Sequence, residues 1–196
     1  MFSNYTLNEK SNFGLIEVIC GSMFSGKTEE LIRRLKRAKI ANQKIQIFKP
    51  SLDSRNNDYI ESHDKNRIKS LTVKTSYDVY DIGKDFDVIG IDEVQFFDDE
   101  IVSVCNSLAN NGVRVIAAGL DMDYLGNPFG PMPNLMAIAE YVTKVHAICS
   151  KTGNIANYSY RKNKEDSIIL IGEKDEYEAL SREIFYEKMN SKKKKT

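Results

Sequence analysis

Residues 21–28 read Gly-Ser-Met-Phe-Ser-Gly-Lys-Thr and satisfy the pattern G-x-x-x-x-G-K-[ST] at each fixed position. That pattern describes a phosphate cradle. A loop that wraps a β-phosphate must turn tightly with its N–H groups facing inward, which Gly21 and Gly26 permit while Ser22, Met23, Phe24 and Ser25 supply the intervening amides. A helix opening at Thr28 adds its positive N-terminal end. Lys27 then neutralises the β- and γ-oxygens of a nucleotide such as ATP, and the Thr28 hydroxyl suits Mg²⁺. Chance alone would produce the four fixed positions in roughly one chain of this length in a hundred.

A second acidic centre follows the apolar run at residues 86–91, where Asp92 and Glu93 precede Val94 and Gln95. A carboxylate at the carboxyl end of a buried parallel strand is placed to hold magnesium through water, which suits Asp92. Glu93, one residue on, projects differently and could take a proton from an attacking hydroxyl. A solvated strand end is the plainer reading of the pair. Two strings mimic guanine-nucleotide motifs: Asn163-Lys164-Glu165-Asp166 and Asp87-Val88-Ile89-Gly90. Neither has the right context. The first does not close a buried strand, and Asp87 opens its strand instead of ending it.

The elements that must position these groups alternate. Residues 14–20, 44–49, 71–73, 86–91 and 113–118 are short apolar runs that read as strands. Residues 28–41 and 99–110 carry helical spacing, the latter stopped by Asn111-Gly112, and 76–82 reads as a short helix or a turn. Strands alternating with amphipathic helices predict an α/β fold of the phosphate-loop type, a parallel sheet flanked by helices. Residues 51–70 are polar and read as a long loop or a partly ordered excursion. Residues 119–133 hold three glycines and three prolines and break the pattern. A helix is expected over about 135–141, then short strands at 144–149, 157–162 and 167–171, and a helix at 177–189. The organisation expected is a nucleotide-binding domain at 14–143, a small β-rich lobe at 144–189, and flexible ends at 1–13 and 190–196.

Composition bounds the rest. The 196 residues carry 28 Lys and Arg against 28 Asp and Glu, which speaks against a chain whose main task is gripping nucleic acid. Lys192–Lys195 conceal an acidic body: residues 1–191 hold 24 basic and 28 acidic groups. No segment approaches the ~20 apolar residues of a membrane span, and the N-terminus lacks an apolar signal core. Cys20, Cys105 and Cys149 are too few and scattered for a disulfide framework. A cytoplasmic location follows from that pattern.

Several of these strings together resemble the cellular-type (type II) thymidine kinase family. They are the phosphate loop, the strand end Asp92-Glu93-Val94-Gln95-Phe96-Phe97, and the stretch from Gly119-Leu120-Asp121 to Asn127-Pro128-Phe129-Gly130. Phe48-Lys49-Pro50, Asp53-Ser54-Arg55, Ser62-His63, Tyr158-Ser159-Tyr160-Arg161 and Tyr177-Glu178-Ala179-Leu180 match as well, so the likeness runs from about Gly14 to Phe185. It implies transfer of the ATP γ-phosphoryl to the 5′-hydroxyl of thymidine. Glu93 matches the general base and Asp92 the magnesium-linked carboxylate, with Val94 and Gln95 in the nucleotide site. Residues 119–133 match a loop that closes over thymine. On it Leu120, Tyr124 and Phe129 would face the base, an aromatic face being worth ~1–3 kcal/mol in stacking. Met23, Ser159 and Tyr177 would also lie at the base, and Asp53 and Arg55 would approach the phosphates. A homotetramer is implied too.

One departure matters. Many family members hold zinc in the small lobe with two Cys-x-x-Cys or Cys-x-x-His pairs. Here Cys149 is followed by Thr152, and Ser181 and Ile184 stand where the second pair would fall. One ligand cannot close a tetrahedral site, so no zinc is expected, and His146 is too near Cys149 to rebuild the set. Packing of Ile148, Ile155, Ile169, Ile171 and Ile184 would hold the lobe instead. The altered lobe leaves room for a kinase of another deoxynucleoside. A nucleotide-sensing regulator without catalysis is a second alternative, and a nucleic-acid-dependent ATPase a third.

Overall fold

The computed structural model describes residues 12–52, 59–61, 67–162 and 176–193. Its centre is a six-stranded parallel sheet built from β1 (Leu15–Cys20), β2 (Ile45–Pro50), β5 (Leu71–Val73), β6 (Val88–Ile91), β7 (Arg114–Gly119) and β8 (Tyr141–Lys144), in the order β5-β2-β6-β7-β1-β8. The strands are short and apolar on both faces because helices cover both faces. On one side lies α1 (Lys27–Ile40), whose Leu31, Ile32, Leu35 and Ala38 pack on Ile19, Ile47, Val88, Ile116 and Ala118. On the other lie α2 (Ser76–Gly83), α3 (Glu100–Asn110) and α4 (Met132–Ile138). That side is closed by Val79, Ile101, Val104, Leu108, Met132 and Leu135 against Ile16, Val18, Ile89, Ile91 and Val115.

Alternation along β1 divides these two cores, and it also buries a charge. Glu17 is 3% exposed on the α1 side. Its carboxylate pairs with Arg34 of α1 at 2.5 Å and with Arg114 of β7 at 2.6 Å. Arg34 reaches on to Glu30 at 2.8 Å and to Thr143 of β8 at 2.9 Å. The helix that carries the phosphate loop is thus tied to three strands at once. Gly90 lets it lie close: a Cβ there would sit 2.7 Å from Leu35 Cδ1.

A 3₁₀ turn (Val94–Phe96) follows β6. The polar stretch at 51–70 contributes an antiparallel pair, β3 (Tyr59–Glu61) with β4 (Arg67–Lys69), which fits the partly ordered excursion and not the plain loop. Beyond the sheet come β9 (Ala147–Ile148) paired with β10 (Ile155–Ala156), then β11 (Tyr158–Arg161) paired with β12 (Tyr177–Leu180), and α5 (Arg182–Lys193). No described helix is long and apolar enough to cross a membrane.

Four expectations need correction. The helix expected at 135–141 runs from Met132 to Ile138 and is followed by β8. Glu140 makes that switch: its carboxylate accepts the Ile16 N–H at 2.6 Å, and the next residue begins pairing with β1. The strand expected at 144–149 divides between the end of β8 and β9. Residues 177–180 form a strand and not the start of a helix, because cross-strand pairing with β11 overrides the helical leaning of Glu-Ala-Leu. Ile148 and Ile155 are 66% and 57% exposed, so they do not form the lobe core. The hairpin alternation turns Ala147 and Ala156 inward instead, against Tyr158, Tyr160, Leu180 and Phe185, with Ile184 packed beside them. The expected strand at 167–171, with Ile169 and Ile171, and the string at 163–166 lie outside the described residues, as do residues 1–11 and 194–196.

Candidate active site

The phosphate loop leaves β1 at Cys20 and enters α1 at Lys27. Gly21 has φ 149°, and a Cβ there would sit 2.2 Å from the Val145 carbonyl, so only glycine fits. Gly26 has φ 85°, and Phe24 also takes a left-handed φ of 63°. Ser25 Oγ donates to the Ser22 carbonyl at 2.7 Å, and Lys27 Nζ donates to the same oxygen at 2.7 Å. The loop therefore curls around the ammonium. Burial draws the Lys27 pKa below the usual lysine range, while Glu93, Asp92 and Asp121 work in the other direction.

Strand β7 lies between β1 and β6, so Asp92 is not on the neighbouring strand. It still meets the end of the phosphate loop, with Thr28 Oγ1 donating to Asp92 Oδ2 at 3.4 Å. A hydroxyl and a carboxylate side by side are hard oxygen donors, the chemistry that Mg²⁺ takes. Glu93 is in a left-handed conformation, φ 52°, uncommon for a non-glycine residue. Glu93 Oε2 accepts from Gln95 Nε2 at 2.6 Å. Val94 is fully buried in the core.

Residues 119–131 form an ordered loop, not an open strap. Asp123 Oδ1 accepts from the Leu125 and Asn127 N–H groups at 2.8 and 2.9 Å, and Met122 bridges to Pro128. Phe129 meets Phe96 edge-to-face at 5.7 Å. The Leu120 N–H donates to Gln95 Oε1 at 3.0 Å. Asp121 pairs with Lys144 at 2.6 Å, and its Oδ1 is buried with no hydrogen-bond partner among the described residues.

The small lobe docks directly on the phosphate loop. Ser159 Oγ accepts the Met23 N–H at 2.9 Å, and Ser22 Oγ donates to the Ala156 carbonyl at 3.1 Å. Phe24 and Met122 pack against the lobe core. Arg161, 1% exposed, stands 3.9 Å above the Tyr124 ring and donates to Tyr177 Oη at 2.8 Å. Sequence reasoning named both tyrosines and passed over the arginine between them. A charged residue inside a Tyr-Ser-Tyr-Arg strand was the only available signal. Asp53 and Arg55 lie outside the described residues.

At Cys149 the donor set does not suit zinc. Burial works against ionisation of this thiol, but hydrogen bonds from the Thr152 side chain and from the Ser181, Lys151 and Thr152 N–H groups outweigh it and bring the pKa to about 6. Among the described residues no three His, Cys, Asp or Glu side chains group as metal ligands. His146 Nδ1 lies 2.6 Å from Asn157 Oδ1 on the surface.

A phosphate loop, an acidic strand end reaching its threonine, and an ordered loop facing both define a nucleotide-binding α/β protein of the phosphate-loop class. The family model for thymidine kinase matches residues 14–185, and the chain belongs to that family. It is 55% identical over 186 residues to the thymidine kinase of Bacteroides thetaiotaomicron, covering 94% of each chain. It is 55% identical over 170 residues to that of Porphyromonas gingivalis, covering 86% of this chain and 83% of the other. The thymidine kinase of a Rhodothermus species is 51% identical over 180 residues, covering 91% and 84%.

Proposed function

We propose that this protein transfers the γ-phosphoryl of ATP to the 5′-hydroxyl of thymidine, as an ATP-dependent nucleoside kinase, at the site built by the phosphate loop, Asp92-Glu93 and residues 119–131. The observation that carries the residue roles is the Thr28–Asp92 contact at 3.4 Å beside a Glu93 carboxylate held by Gln95 at 2.6 Å. Two adjacent carboxylates thereby have different partners and different tasks. Main-chain amides of residues 21–26 and the Lys27 ammonium hold the triphosphate. Thr28 and Asp92 are the residues that would hold Mg²⁺, which when bound neutralises charge on the β- and γ-phosphates. Glu93 accepts the 5′-hydroxyl proton as that oxygen attacks the γ-phosphorus. Catalysis is then mostly positioning and charge neutralisation, with one proton transfer.

Met23, Leu120, Tyr124, Phe129, Ser159 and Tyr177 surround the thymine in this reading, and Asp53 and Arg55 approach the phosphates. The Arg161 guanidinium supports Tyr124 and Tyr177 at once. The same reading gives a cytoplasmic homotetramer with no nucleic-acid partner and no structural zinc. Light scattering and metal analysis test two of these features: four chains, and well under one zinc per chain.

The test of the residue roles is Glu93→Gln. It should leave Mg·ATP binding within about twofold and cut turnover of thymidine by ~10²–10⁴-fold. Turnover near the parent's would remove Glu93 from the base role.

A further inference from the structure

Gln95 touches both the Glu93 carboxylate and the loop at 119–130. It is 3% exposed, in the 3₁₀ turn after β6. Its amide has two ends, and each has a partner of fixed character. The Leu120 N–H can only donate, so the oxygen of Gln95 must face it, at 3.0 Å. That leaves the amide nitrogen facing Glu93 Oε2, at 2.6 Å, where a carboxylate accepts. The orientation of one group dictates the other.

The surroundings are cut to this arrangement. A Cβ on Gly119 would sit 2.7 Å from Gln95 Oε1, so the residue before Leu120 has to be bare. A Cβ on Gly130 would sit 2.5 Å from the Gln95 carbonyl, so the far end of the loop also rests on this residue. Phe96, the next residue, meets Phe129 edge-to-face. Both ends of the 119–130 segment therefore bear on Gln95 and its neighbour.

We infer that Gln95 is a positioning residue that couples the loop at 119–130 to the Glu93 carboxylate, so that thymidine held by the loop and the base that deprotonates it are set by one amide. This rests on the reading in which Glu93 is the base and the loop contacts thymidine. The amide donates to one Glu93 oxygen and stops the side chain from rotating away from the 5′-hydroxyl. The amide oxygen pins the Leu120 backbone where the loop leaves β7. A loop displaced by substrate would pull on the base, and a base displaced would loosen the loop.

The test uses the full-length protein with Mg·ATP and thymidine, reading kcat, thymidine KM and ATP affinity separately. Gln95→Met keeps length and apolar volume but loses both polar ends. It should lower kcat and raise thymidine KM, each by roughly 10-fold or more, since the half-buried Glu93 carboxylate and Leu120 N–H each lose a partner. ATP affinity should change less than thymidine KM. Gln95→Glu keeps an acceptor for Leu120 and sets a second carboxyl, in place of the amide donor, against Glu93. It should bring thymidine KM back to within about threefold of the parent while kcat stays low, a split that a packing role alone would not produce. In a Glu93→Gln background, Gln95→Met should change kcat by less than about threefold, because the group it acts through is already gone.

Parent-like kinetics in Gln95→Met, or an equal loss of kcat in both backgrounds, would overturn the inference. If Gln95→Met does not fold, Gln95→Glu decides alone: low kcat with near-parent KM supports coupling, and parent-like kcat refutes it. Near-normal turnover of Glu93→Gln by itself overturns the underlying base assignment, which the Gln95 variants do not probe.

Discussion

Glu17→Gln perturbs the fold at one atom pair while keeping side-chain shape. Glu17 is 3% exposed in the middle of the strand that feeds the phosphate loop, with Arg34 at 2.5 Å and Arg114 at 2.6 Å on its two oxygens. The substitution removes the one charge that both guanidinium groups share. Breaking a buried pair from one side costs about 3–5 kcal/mol, because the remaining charge stays desolvated. The guanidinium groups are 13% and 23% exposed, and Arg34 retains Glu30, so the lower end applies, about 3 kcal/mol. For a chain of this length each kcal/mol moves Tm by about 2–4 °C, which predicts a fall of about 6–12 °C. Urea unfolding at fixed pH and salt measures it through the midpoint, with the slope unchanged. Asp81→Asn is the control, since Asp81 pairs with Lys84 at 3.7 Å on the open surface and should show no measurable change. A loss below about 1 kcal/mol for Glu17→Gln would refute the view that this network ties α1 to the sheet.

Gly119→Ala places a methyl group 2.7 Å from Gln95 Oε1, 2.8 Å from Met132 Sδ and 2.9 Å from Val94 Cγ1. It should destabilise by about 1–3 kcal/mol and raise thymidine KM more than ATP KM, as denaturation and steady-state kinetics would read. Lys27→Ala removes the ammonium within the phosphate loop and should cut kcat/KM for ATP by at least ~10²-fold while the Tm stays close to the parent's. Cys149 has a folded pKa of about 6 against a usual 9.0, so the folded state favours its thiolate. That contribution is complete above pH 9 and lost as pH falls through 6, so parent stability should rise across this window more than that of Cys149→Ser.

The phosphate loop was legible because all of its information is local: two glycines, a lysine and a threonine between a strand and a helix. Helix α1 was legible for the same reason, with Leu31, Ile32, Leu35 and Ala38 facing one core. What was not legible depends on contacts between distant segments. Strand β8 exists because residues 141–144 pair with Glu17–Cys20 of distant β1, beside the Glu140 carboxylate that takes the Ile16 N–H across 124 positions. Residues 177–180 have helix-forming composition and become a strand only beside residues 158–161. Isoleucines at 148 and 155 looked like core and are turned outward by a two-residue hairpin register. In the site, the types of Asp92 and Glu93 predicted a division of labour. The left-handed turn at Glu93, the amide bridge of Gln95 and the Arg161 guanidinium above Tyr124 could not be read from spacing.

The central claim is tested most directly by incubating the full chain with γ-labelled ATP, Mg²⁺ and a panel of deoxynucleosides, and following the label into each monophosphate. The account predicts label in the 5′-monophosphate of thymidine, at a kcat/KM well above that for the purine deoxynucleosides. Equal or greater transfer to another deoxynucleoside, or no transfer to any, would contradict it.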